Sequence, residues 1–95
     1  MKSINTALLR SDAQAYADCI EYCGNMLTRM DSAHLEMDEH WQGGARQGYN
    51  ETYEGVVKPS INALIAGCNT CRDNLIEYAR ICDERDDADR TAFGM

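Results

Sequence analysis

From Tyr16 to Trp41 one set of residues recurs at alternating steps of four and three: Tyr16, Ile20, Cys23, Leu27, Met30, His34, Met37 and Trp41. Stepping of this kind is the seam of a helix that lays one stripe against another helix. It returns in the second half at Leu64, Cys68, Cys71, Leu75, Tyr78 and Cys82, after Tyr49, Tyr53 and Val57. Between the halves stands Gly43-Gly44, and glycine ends helices and starts tight connections because it tolerates the left-handed conformation. Two seams separated by such a stop predict an all-α chain folded as an antiparallel helix-turn-helix hairpin. No run alternates apolar and polar residues as a half-buried strand would.

The first helix is expected over about residues 6–40, and Ser11 with Gln14 three positions on gives a capping-box pattern inside that range. The bend is placed at 41–44 and the second helix at about 45–84. Pro59 interrupts that helix. Its ring clashes with the carbonyl four residues back, that of Gly55, so a kink or a break is expected near 55–59. From about residue 86 the tail is polar and charge-dense and is expected to be flexible to residue 95.

Cys19, Met26 and Ala33 run beside the first seam and widen it. A two-helix hairpin cannot cover two wide apolar stripes by itself, and a second hairpin, giving a four-helix bundle, is the economical remedy. The chain is therefore expected to dimerise, with itself or with a similar chain. The expected interface draws on Tyr16, Ile20, Leu27, Met30, Met37, Leu64 and Leu75, and methionine suits an adaptable contact.

Sixteen acidic residues against nine basic ones leave a formal charge of −7. Phosphate backbones and anionic membrane surfaces call for clustered Lys and Arg, so nucleic acid and membrane partners are not expected. The N-terminal "MKSINTALLR" lacks a signal-peptide core, and no stretch approaches the roughly 18 apolar residues of a membrane span. That leaves a cytoplasmic location, or export by a route that uses no N-terminal signal.

Five cysteines are many for 95 residues, and an odd number does not close into intramolecular pairs. In a hairpin that bends near residue 43, Cys19 lies across from about residue 67 and Cys23 from about residue 63. Cys19, Cys23, Cys68 and Cys71 then admit three readings: small buried hydrophobes, a Cys19–Cys68 or Cys19–Cys71 disulfide, or a four-thiolate zinc site. Structural zinc sites usually place Cys-x-x-Cys pairs on turns, not inside long helices. His34 is a seam residue of the core or interface, and His40 suits a helix C-terminus. No Ser-His-Asp set, phosphate loop or paired carboxylates suggests an enzyme, and no cofactor is implied.

A short acidic chain of two helices with Trp41-Gln42-Gly43 in the bend resembles the WXG-motif family, the early secreted antigenic target-like small proteins of type VII secretion systems. The resemblance covers length, bend position, both helices and tail. It implies a non-enzymatic helical hairpin that pairs as a four-helix bundle with itself, with a related WXG-like protein or with the helical N-terminal domain of a larger effector. It also implies export by the type VII route, with a cytoplasmic pool, and recognition by the secretion ATPase. In the family a C-terminal motif, Tyr followed after three residues by an acid, serves that recognition near the partner's bend. Here Tyr78 is followed by Cys82 where the acid belongs, and Asp83 comes one position late. On a helix that shift turns the carboxylate by about 100°, so the motif is degenerate. An effector-specific chaperone or adaptor that is not itself exported is the alternative within the pathway, and a cysteine-based metal- or redox-responsive bundle is the alternative outside it.

Overall fold

The computed structural model describes residues 5–40 and 43–92. Helix α1 spans Thr6–His40. It starts there because the Asn5 side-chain oxygen accepts the Ala7 and Leu8 backbone N–H groups at 3.1 and 3.3 Å, satisfying two donors that a helix start leaves open. Ser11, expected as a cap, lies inside the helix. Its companion Gln14 donates instead to Asp18 at 2.9 Å, one turn on.

Trp41 and Gln42, the first two residues of the bend motif, lie outside the described residues. Gly43 has φ 119° and ψ −178°, backbone that a residue with a Cβ rarely adopts. Helix α2 follows at Gly44–Thr52.

The irregularity expected around Pro59 takes the form of a π-helical turn, Tyr53–Val57, in which the Lys58 N–H reaches back to the Tyr53 carbonyl. Proline has no N–H to continue the regular ladder, and the wider turn accommodates its ring without ending the helix. Helix α3 then runs over Lys58–Ala92. It passes well beyond residue 86, where a flexible tail was expected. Arg80 pairs with Glu77 at 2.6 Å and with Glu84 at 2.5 Å. Oppositely charged neighbours at these spacings support the helix that the charge density of the segment alone argues against.

Helix α1 packs against α3 along its length, with Cα atoms of the two helices within 8 Å of each other. Among the described residues, Ala13, Cys23 and His34 of α1 and Tyr53, Cys68, Ala79 and Cys82 of the second rod are buried. This is a single file of mostly small side chains, which is what two rods alone can enclose. The molecule measures 75 × 17 × 15 Å with a radius of gyration of 21.7 Å, against roughly 12 Å for a compact domain of this length.

Candidate partner-binding face

The wide end of the buried file is polar. Tyr53, at the start of the π turn, is 3% exposed, and its hydroxyl donates to Asp31 Oδ1. Lys58 Nζ approaches the same oxygen at 3.3 Å. Together they hold the Asp31 carboxyl below the usual carboxylate range, the Tyr53 hydrogen bond contributing most and partial burial opposing it. Burial, then the Asp31 contact, pushes the Tyr53 phenol up to about 12. His34 stacks on Tyr53 and Tyr49 with ring centroids 4.8 and 5.7 Å away. Its Nε2 lies 3.9 Å from Glu54 Oε1, while its buried Nδ1 finds no hydrogen-bond partner among the described residues. Nearer the bend, Asp38 accepts from Arg46 at 2.9 Å and from Asn50 at 3.3 Å, and these two donors lower its pKa in that order.

These contacts fix the register of the two rods. At the far end Arg10 donates to Asp83 Oδ2 at 2.6 Å, which with a hydrogen bond from Thr6 lowers the Asp83 pKa. Exposed ion pairs are worth little individually. Their value here is in position, because they join residues far apart in sequence at both ends of the hairpin.

At about 100° per residue, Cys19, Tyr22, Met26, Met30, Ala33 and Met37 fall on one flank of α1 within an arc of about 80°. Leu64, Gly67, Cys71 and Tyr78 likewise share one flank of α3. The Tyr16 hydroxyl meets the Cys71 thiol, and Cys19 meets Cys68, so these two flanks adjoin and form one face of the hairpin. Tyr22 is 69%, Leu64 51% and Tyr78 47% exposed. Two open grooves follow one another along it, about 280 Å³ between Met26, Arg29, Met30 and Ala33 and about 340 Å³ between Ala33, Glu36, Met37 and His40. The opposite flank of α1 carries Arg10, Gln14, Glu21, Thr28, Ser32 and Glu39 and is the more polar of the two, with Leu35 and Ile76 as exposed apolar residues on that side of the hairpin.

The expected interface residues divide between two places. Tyr16, Ile20, Leu27, Met30 and Leu75 are half-buried, while Met37 and Leu64 are exposed. Tyr78 is exposed, Cys82 is buried and Asp83 is engaged by Arg10. Tyr78 and Asp83 therefore point to different surroundings. Sequence reading missed the cross-rod set Asp31, Tyr53, Lys58, Asp38 and Arg46. Its signal was present in the register, which sets His34 opposite the Tyr49–Tyr53 pair.

All five cysteines are free thiols; Cys23, Cys68 and Cys82 are buried, Cys19 is half-buried and Cys71 is exposed. Burial and the neighbouring Cys19 push both the Cys23 and Cys68 thiols up. Among the described residues no group of three or more His, Cys, Asp or Glu side chains is gathered to hold a metal ion, which tells against a four-thiolate zinc site. No helix of the described residues is long and apolar enough to cross a membrane.

An uncharacterised protein of Clostridium acetobutylicum is 28% identical to this chain over 95 residues, the alignment covering 98% of this chain and 96% of the relative. The similarity thus extends over both rods and the bend. No family model matches the chain, and no solved structure matches it.

Proposed function

We propose that this chain is a small helical partner protein of a type VII secretion system, a WXG-like hairpin that covers its apolar face with a second hairpin in a four-helix bundle. The observation that carries the reading is the excess of uncovered surface on one side of the rod. The chain exposes 7035 Å², whereas a compact monomer of its 10.7 kDa mass exposes roughly 5,500 Å². For two chains the excess comes to about 3,000 Å², within the roughly 2,000–5,000 Å² that obligate homodimer interfaces remove from both partners together. Gly43 at the bend supports the resemblance to the WXG family, since that position requires a residue without a Cβ.

The partner is a copy of this chain, a related hairpin or the helical N-terminal domain of an effector. The surroundings of Asp83 favour the adaptor form of the reading, in which the exported signal belongs to the partner. Arg10 holds that carboxylate away from Tyr78, and Cys82 is buried where an acid would stand.

Sedimentation velocity on the chain alone, and copurification with an effector encoded nearby, test the proposal. A discrete dimer or a one-to-one complex is expected. A monomer at high concentration that captures no such effector overturns it. Export assays in a strain with and without the secretion ATPase then separate the exported form from the retained adaptor.

A further inference from the structure

We propose that Cys19 and Cys68 are the site of a reversible cross-hairpin disulfide, formed by exchange with a low-molecular-weight disulfide. The proposal stands on the thiol cluster and is independent of the secretion reading. Cys19 contacts both Cys23 on its own helix and Cys68 on the facing one. The register set by Tyr53–Asp31 on one side and Arg10–Asp83 on the other places Cys19, near the middle of the hairpin, opposite the turn that carries Cys68 and Cys71. Cys71, one turn on, is instead directed to the Tyr16 hydroxyl. Closing the bond sets the two Cα atoms about 4.4–6.8 Å apart.

Access is graded in the order the chemistry needs. Cys19 is half-buried on the open face, and Cys68 lies behind it in the buried file. The Cys19 thiolate attacks the sulfur of the small disulfide, an S–S bond breaks, and one small thiol leaves. Cys68 then gives up its proton, its sulfur attacks Cys19 Sγ, and the second small thiol is expelled. The protein dithiol is oxidised by two electrons to a disulfide, and one small disulfide is reduced to two thiols. The bond closes the chain across the bend and restricts the unfolded ensemble, so it stabilises the hairpin. It forms in oxidising surroundings and is reversed by the thiol pool of a reducing cytosol.

The test treats the full chain with oxidised glutathione, alkylates the remaining thiols, and maps the products by mass spectrometry. The expected result is a fall from five alkylatable cysteines to three, a peptide linked through Cys19 and Cys68, and a melting temperature raised by at least about 5 °C. Dithiothreitol reverses all three. Cys71→Ser retains the linkage, and Cys19→Ser, at a half-buried position that tolerates the change, abolishes it. Five alkylatable thiols after oxidation overturn the proposal. So does a linkage that joins Cys71 to Cys19, or one chain to another, in place of Cys19–Cys68. Direct mapping on the unmutated chain keeps the test decisive even if Cys68→Ser fails to fold.

Discussion

The Tyr53 hydroxyl donates across the hairpin to Asp31 Oδ1 at 2.5 Å, from a ring that is 3% exposed. A buried donor in this position joins α1 to the π turn and leaves no other route for its hydrogen. Tyr53→Phe keeps the ring and removes the bond, so it is expected to cost about 1–2 kcal/mol. That corresponds to a fall of roughly 5–10 °C in melting temperature for a domain of this size. Thermal melts followed by circular dichroism check it, with helix content at low temperature unchanged.

The same contact sets a pH profile. Asp31, Asp38 and Asp83 all titrate below the ordinary value of 3.8 in the folded chain. Groups lowered on folding contribute stability that is present above their unfolded pKa and lost as pH falls through the folded one. The urea midpoint is therefore expected to hold down to about pH 4 and to decline below it. Tyr53 moves the other way, from 10.0 to about 12. Its contribution is complete below pH 10 and lost as pH rises through about 12. Comparing urea midpoints of the parent and Tyr53→Phe across that alkaline range isolates this step, which the variant lacks.

Two glycines with equally open surroundings are expected to respond in opposite directions. A Cβ at Gly43 or at Gly48 meets nothing within 4 Å, so space does not distinguish them. Gly43 has φ 119°, and Gly48 lies inside helix α2. Gly43→Ala is expected to destabilise by about 1–3 kcal/mol through backbone strain. Gly48→Ala is expected to stabilise by up to about 1 kcal/mol through helix propensity. Chemical denaturation of the two variants measures both.

Association offers a test that uses the two sides of the rod against each other. Tyr22 and Met37 lie on the apolar flank of α1, Thr28 and Ser32 on the polar one, and all four are exposed. Exposed substitutions alter monomer stability by no more than about 0.5 kcal/mol. Tyr22→Asp and Met37→Asp are therefore expected to weaken pairing at least about tenfold without unfolding the chain, because each buries an unpaired charge in the interface. Thr28→Asp and Ser32→Asp are expected to leave pairing unchanged. Sedimentation equilibrium reads all four.

The hairpin was legible because its seams have helical spacing and its stop is a glycine pair. The cap of α1 was less so, since Ser11 and Gln14 form a good capping pattern while Asn5 fills the role more than one turn earlier. The second helix runs past its expected end near residue 84 to Ala92 because composition registers charge density but not pairing, and Arg80 is placed to meet Glu77 and Glu84 only once the segment is helical. Of the residues expected at an interface, Met37 and Leu64 are exposed. Tyr16, Ile20 and Leu27 are half-buried within the single chain, and periodicity gives a direction from the helix axis and not the identity of what lies there. The polar set around Asp31 and Tyr53 could not be assigned from either half alone, because it exists only across the bend.

The π turn had a sequence signature, and it leads to the last prediction. Tyr49, Tyr53, Val57, Ile61 and Ile65 follow one another at steps of four. In a regular α-helix each such step drifts by about 40°, so four of them would carry Tyr49 and Ile65 to opposite sides. The π turn at Tyr53–Val57 absorbs much of that drift. A π turn is in effect one extra residue in an α-helix. Deleting the exposed Val56 while replacing Pro59→Ala should restore a regular helix with both ends in phase. That variant is expected to remain folded, with its melting temperature within about 5 °C of the parent. Deleting Asn74 from the regular part of α3 instead turns everything beyond it by about 100° and separates Asp83 from Arg10. It is expected to lower the melting temperature by more than about 10 °C. Equal losses from the two deletions would mean that the π turn does not set the phase of the seam.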